Sequence, residues 1–156
     1  MNKIIFLFLL ITIGLAPLGC NEQTEVVDDA REKVYTFLVE MNPDLYRAML
    51  KMRAELSLAD KNIRELYDLK GMYPDQRNMI NKSIKQWQIL RKSLNFTLRD
   101  IYDKIEKAYV VYRIDEIQGK HNFNIISADL LKEANDVLAE AITTKSLIEE
   151  ELRDSK

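Results

Sequence analysis

Residues 80–112 read INKSIKQWQILRKSLNFTLRDIYDKIEKAYVVY, and within them Ile80, Ile84, Trp87, Arg91, Leu94, Leu98, Ile101, Ile105, Ala108 and Tyr112 recur at alternating steps of four and three. That is the heptad rhythm of an α-helix burying a narrow seam against other helices, with Arg91 as its one charged rung. No glycine or proline lies between Pro74 and Gly119. Nothing in the chain therefore interrupts a helix of about 44 residues, roughly 66 Å at 1.5 Å per residue. One helix cannot bury such a seam alone, and the flanking segments carry matching ones.

Upstream, Val27, Ala30, Val34, Phe37 and Met41 repeat at three and four, and Leu45, Met49, Met52, Leu56, Ala59, Ile63 and Leu66 resume the rhythm. Between them Asn42-Pro43-Asp44 reads as a helix start, with Asn42 as cap, Pro43 in the first turn and Asp44 at the positive end of the dipole; one kinked helix is the alternative. Lys70-Gly71 reads as a cationic last turn followed by a left-handed cap, and Met72-Tyr73-Pro74 turns the chain. Helical regions of similar length, Thr24 to Leu69 and Pro74 to Gln118, joined by so short a turn, predict an antiparallel α-hairpin. Its register opposes Leu45 to Leu98, Met49 to Leu94, Leu56 to Trp87 and Ile63 to Ile80, and sets Arg91 opposite Met52 within reach of Glu55.

Downstream, Gly119-Lys120-His121-Asn122 reads as a break and Ser127 as the cap of a third helix, with Ile126 and Leu131 as a hydrophobic staple. Leu131, Ala134, Leu138, Ala141, Lys145, Ile148 and Leu152 continue it. At about 26 residues, roughly 39 Å, it covers only the carboxyl half of the second helix, where Tyr102, Tyr109, Val110, Val111, Ile114 and Ile117 widen the apolar stripe to face two neighbours. The expected fold is all-α: an elongated antiparallel hairpin with a third helix on its membrane-proximal half, a coiled-coil-like three-helix bundle with a two-helix distal tip. Charges on the seam, Arg91 and Lys145, either snorkel along their aliphatic stems or set register by meeting a carboxylate.

The amino terminus carries an address. Met1-Asn2-Lys3 gives a positive start and Ile4 to Ala16 an apolar run of about 13 residues, short of the ~20 a membrane span needs. It ends in Ala16-Pro17-Leu18-Gly19-Cys20. This stretch resembles the signal peptide and lipobox of bacterial lipoproteins, matching at Gly19 and Cys20 and departing at Pro17, where that family usually has leucine, and at Leu18, where a small residue is commoner. The resemblance covers the first 20 residues and implies diacylglyceryl attachment to Cys20, cleavage before it, and acylation, as with palmitate, of the new amino terminus. Residues 1–19 are then a signal peptide, 20–23 a lipidated tether and 24–156 the helical domain. The expected location is the cell envelope, lipid-anchored to a membrane and facing the periplasm or exterior. Cys20 is the only cysteine, so intrachain disulfides are excluded.

The inventory disfavours chemistry. A net charge of −2, with basic residues dispersed among acids, argues against nucleic acid as a partner. A single histidine, His121, cannot assemble the helical metal sites or nucleophilic pairs that need a second histidine or cysteine, and the glycine-poor chain has no phosphate-cradling loop. The expectation is no enzyme, cofactor or metal, and a module that interacts with proteins or serves structurally. Alternatives are an unrecognised envelope hydrolase working through carboxylates, or a ligand-binding module using Tyr35, Tyr46, Tyr102, Tyr109 and Tyr112 at the three-helix base. The candidate partner-binding residues are Leu66, Tyr67, Leu69, Met72, Tyr73 and Met79, which gather at the hairpin bend. A two-helix tip buries only one face of each helix and leaves an apolar patch there. Its partner is an envelope protein or a second copy.

Overall fold

A computed structural model describes residues 21–153, with side chains from Ala30 onward, Leu152 apart. Four α-helices make up this stretch: α1, Asn21–Met41; α2, Pro43–Met72; α3, Arg77–Ile114; and α4, Glu116–Arg153, with a 3-10 turn at Pro74–Gln76 between α2 and α3. Among the described residues only Asn42, Tyr73 and Asp115 lie outside helices, so the protein is all-α. The chain divides into two units at Lys33, and the body discussed below begins at Val34. Cys20 and the leader before it lie outside the described residues. α1 already includes residues 21–23, which were expected to form a tether.

Each break has a local cause. Asn42 leaves the helix at φ −152°, and its side-chain oxygen accepts from the Leu45 N–H at 3.0 Å. Pro43 supplies the first-turn residue that lacks a donor. The expected cap is therefore present, and the chain breaks there rather than kinks. At the other end of α2 the expectation fails: the helix runs through Gly71 to Met72, and Tyr73 closes it by donating its N–H to Leu69 O at 2.9 Å. Gly71 takes no left-handed conformation. With the bend moved to Tyr73–Gln76, α2 and α3 meet about two helical turns away from the expected register. Arg91 pairs with Asp60, not Glu55, and Tyr67 Oη accepts from Gln88 Nε2 at 3.3 Å.

The third break carries the largest correction. Gly119 to Asn122 is helical, and Ser127 lies buried inside α4 rather than capping it. Asp115 is the cap: its carboxylate accepts from the Gln118 N–H at 3.0 Å, while its own N–H donates to Val111 O at 2.9 Å. Asp115-Glu116-Ile117-Gln118 has the spacing of a capping box. Gly119 matters for close approach. A Cβ there would stand 2.1 Å from Tyr112 Cα and 2.5 Å from Tyr112 N, so only a glycine lets the first turn of α4 lie against the last turns of α3.

Starting eleven residues earlier than Ser127, α4 has 38 residues and reaches the first turns of α3, where Glu151 accepts from Lys82 Nζ at 2.9 Å. It packs against both α2 and α3. The core runs along this body through Phe37, Leu45, Met52, Leu94, Ile101, Ile105, Phe123, Ala134, Ala141 and Ile148, all at most 3% exposed. Of the α3 seam, Ile80, Ile84, Trp87, Leu94, Leu98, Ile101, Ile105 and Ala108 are buried. The rung assigned to Arg91 belongs to Leu90, 3% exposed. The widened stripe is half right: Tyr102, Tyr109 and Val111 are half-buried, whereas Val110, Ile114 and Ile117 face solvent. Lys145, on the seam of α4, meets Glu55 at 3.3 Å with both side chains about three-quarters covered.

Candidate interaction surface

The bend between α2 and α3 holds the six residues singled out by sequence, and the structure separates them. Leu66 is buried at 5% exposure: it lines a shallow cleft with Leu69, Trp87 and Ile148, the last contributed by α4. Met79 is half-buried against the core. The other four stand out, with Tyr67, Leu69, Met72 and Tyr73 at 50%, 40%, 70% and 51% exposure. Four large apolar or aromatic side chains thus stand exposed within seven residues at the end of α2, a concentration of the kind found at contact surfaces.

Local structure explains their exposure. Leu66 takes a seam position near the end of α2, so Tyr67, one residue on, turns away from it, whereas Leu69, three residues on, stays on the same side at the cleft. Met72 and Tyr73 sit at the helix end and cap, beyond the seam that packs on α3 and α4. The Tyr73 backbone is held by its bond to Leu69 O and by accepting from the Gln76 N–H at 3.2 Å, so the patch rests on a fixed turn. Tyr67 is fixed by Gln88 and has the Lys70 ammonium 6.0 Å from its ring centroid.

Charges along the body knit the helices. Lys82, hydrogen-bonded to Glu151, holds that carboxyl below the usual carboxylate range, with desolvation opposing and Gln86 assisting. Lys104 bridges Asp100 of its own helix, at 2.5 Å, and Glu133 of α4, at 3.4 Å. The hydrogen bond to Asp100 is the first cause of its raised pKa.

The tyrosines at the other end form two packed groups. Tyr35 lies 6.3 Å from Tyr46 and 5.8 Å from Tyr102 between centroids, with the Arg53 guanidinium 4.8 Å above its ring. Phe37 gathers Tyr109, Tyr112 and Phe123 at 5.4, 5.0 and 5.0 Å. These are tilted and edge contacts of packed aromatic residues. Phe123, fully buried, lies between the expected break at Gly119–Asn122 and the expected cap Ser127; the signal for it is the three-four series Phe123, Ser127, Leu130, Ala134, which carries the α4 seam back past Ser127.

His121 is exposed on α4. Among the described residues no three His, Cys, Asp or Glu side chains converge as a metal site, and no helix is long and apolar enough to cross a membrane. Comparison with family models, with characterised proteins and with solved structures finds no match.

Proposed function

We propose that the protein is a lipid-anchored helical lipoprotein of the bacterial cell envelope, acting without catalysis as an interaction or structural module, and that it meets its partner through the α2–α3 bend. The observation that carries the interaction is the exposed cluster Tyr67, Leu69, Met72 and Tyr73. The anchor rests on the leader ending at Gly19-Cys20. In this reading α2 and α3 form an antiparallel hairpin, a direction supported by the Asp60–Arg91 and Tyr67–Gln88 contacts, with α4 laid along both. Within the body the bend lies at the far end of α2 from the Phe37 cluster, about 45 Å by helix rise. A membrane-held protein would offer that end to a partner, which is an envelope protein or another copy.

Two measurements test this. Labelled palmitate should be incorporated by the wild type and not by Cys20→Ser; equal labelling removes the anchor. Replacing Leu69, Met72 and Tyr73 together with serine should leave helicity and melting nearly unchanged while abolishing cross-linking to the partner that the wild type captures from detergent-solubilised envelopes. Unchanged capture moves the contact surface elsewhere, and concurrent loss of stability assigns those residues to closing the bend.

A further inference from the structure

Helix α3 carries a second ladder on the side opposite its core seam. Positions 85, 89, 92, 96, 99, 103, 106 and 110 alternate steps of four and three, as the buried rungs do, yet all eight residues are exposed. Three are large and apolar: Ile89, Phe96 and Val110, at 69%, 71% and 53% exposure. Ile89 and Phe96 are one heptad apart, and Val110 follows two heptads later, so they share one stripe. α2 and α4 do not reach it. Arg91 and Gln88 mark the flank turned to α2, and Lys82 and Lys104 the flank turned to α4. A shallow groove along Phe96 is lined by Lys92, Asn95, Arg99, Asp100 and Asp103.

The charges on this ladder are sorted by position. Its amino half holds Lys85, Lys92 and Arg99; its carboxyl half holds Asp103 and Glu106. Two copies side by side in the same direction would set base on base and acid on acid. Running in opposite directions about an axis between Phe96 and Arg99, they set Lys92 against Asp103 of the second copy, and Lys85 within one turn of its Glu106. Phe96 then faces the Arg99 guanidinium across the axis, a geometry in which ring and cation attract. Each contact occurs twice, as a two-fold interface requires.

We propose that the outer face of α3 is an antiparallel self-association surface whose occupant is α3 of a second copy of this chain. The surface is distinct from the bend and does not depend on lipidation of Cys20. A single helix pair of this length falls at or below the low end of specific interfaces, about 1,200 Å² of total buried surface, so the dimer is weak and reversible.

Sedimentation equilibrium of the full chain in density-matched detergent tests it, with circular dichroism confirming that each variant stays helical. The wild type should dimerise reversibly in the micromolar range, and Phe96→Ser should weaken the dimer at least about tenfold. Lys85→Glu with Lys92→Glu, and separately Asp103→Lys with Glu106→Lys, should each weaken it to a similar degree. Mixing these two variants should restore association, because each supplies the charges the other needs. A chain carrying all four substitutions should dimerise like the wild type, because every pair is restored with its signs exchanged. The proposal is overturned by a wild type that stays monomeric, by charge variants that dimerise unchanged, or by a four-substitution chain that does not associate. Serine at Leu69, Met72 and Tyr73 should leave this dimer intact; its loss there would move self-association to the bend.

Discussion

The two glycines of the described chain should respond to alanine with opposite signs. Both are helical, and neither has a backbone conformation reserved for glycine. Helix propensity alone favours alanine at each by roughly 0.5–1 kcal/mol, chiefly through the freedom glycine has in the unfolded chain. Gly71 has nothing within 4 Å of an added Cβ, so Gly71→Ala should gain about that amount. At Gly119 the added carbon would stand 2.1 Å from Tyr112 Cα, 2.5 Å from Tyr112 N and 2.6 Å from Tyr112 Cβ. Two of these atoms are backbone of α3 and cannot rotate aside, so α3 and α4 must separate at their tightest point. Overpacking on the order of 1–3 kcal/mol, at its upper end where backbone must move, exceeds the propensity gain. Gly119→Ala should therefore lose near 2 kcal/mol, roughly 6–10 °C in Tm for a domain of this size. Urea denaturation and thermal melts followed by circular dichroism measure both. A Gly119→Ala protein as stable as the wild type, or more so, would refute the close crossing of α3 on α4.

Further outcomes follow from single contacts. Asn42→Ala removes the acceptor for the Leu45 N–H and should cost about 1 kcal/mol in denaturant melts, whereas Asn42→Asp should be nearly neutral. The Ser83 hydroxyl is buried without a hydrogen-bond partner, so Ser83→Ala should stabilise by about 1 kcal/mol; a loss would reveal a partner for the hydroxyl. Ile105→Ala, at a fully buried seam position, should cost about 2–5 kcal/mol. Because Lys82 depresses the Glu151 pKa, the pair's contribution is present above the usual carboxylate range and disappears as pH falls through the lowered value. An NMR titration of Glu151 should show the depression, and Lys82→Ala should remove most of it, leaving only the contribution of Gln86.

Much of the helical framework is legible in the residues themselves. The three-four spacing of Ile80 through Ala108 identifies the buried face of α3 except at one rung, and Asn42-Pro43-Asp44 announces its own cap. What misleads is glycine. Gly71 and Gly119 read as terminators because glycine is favoured at helix ends, yet at Gly119 the missing side chain serves tertiary contact that no local pattern discloses. The true cap, Asp115, is written in Asp115-x-x-Gln118 but is masked by the stronger glycine signal four residues on. Arg91 fails as a rung because helical positions drift against a strict heptad, which lets Leu90 enter the seam. At the candidate surface, the exposure of Met72 and Tyr73 follows from their place at a bend. The burial of Leu66 does not, since it depends on how far α4 extends, and the charge-sorted ladder of α3 becomes meaningful only once the opposite side of that helix is known to be occupied.

The single residue separating α3 from α4 also bears on how the chain finds its shape. Closing a loop costs entropy that grows with the number of residues enclosed, and at this corner the enclosed segment is only the stretch from Tyr112 to Gly119. Contacts can then be added outward in sequence, each one enlarging the gap by a few residues already held in place, until the helix ends meet at Lys82 and Glu151. Each contact made in this way closes only a short additional loop, so the entropic cost is met in small steps. In this molecule Asp115 is where that zippering has the shortest distance to travel.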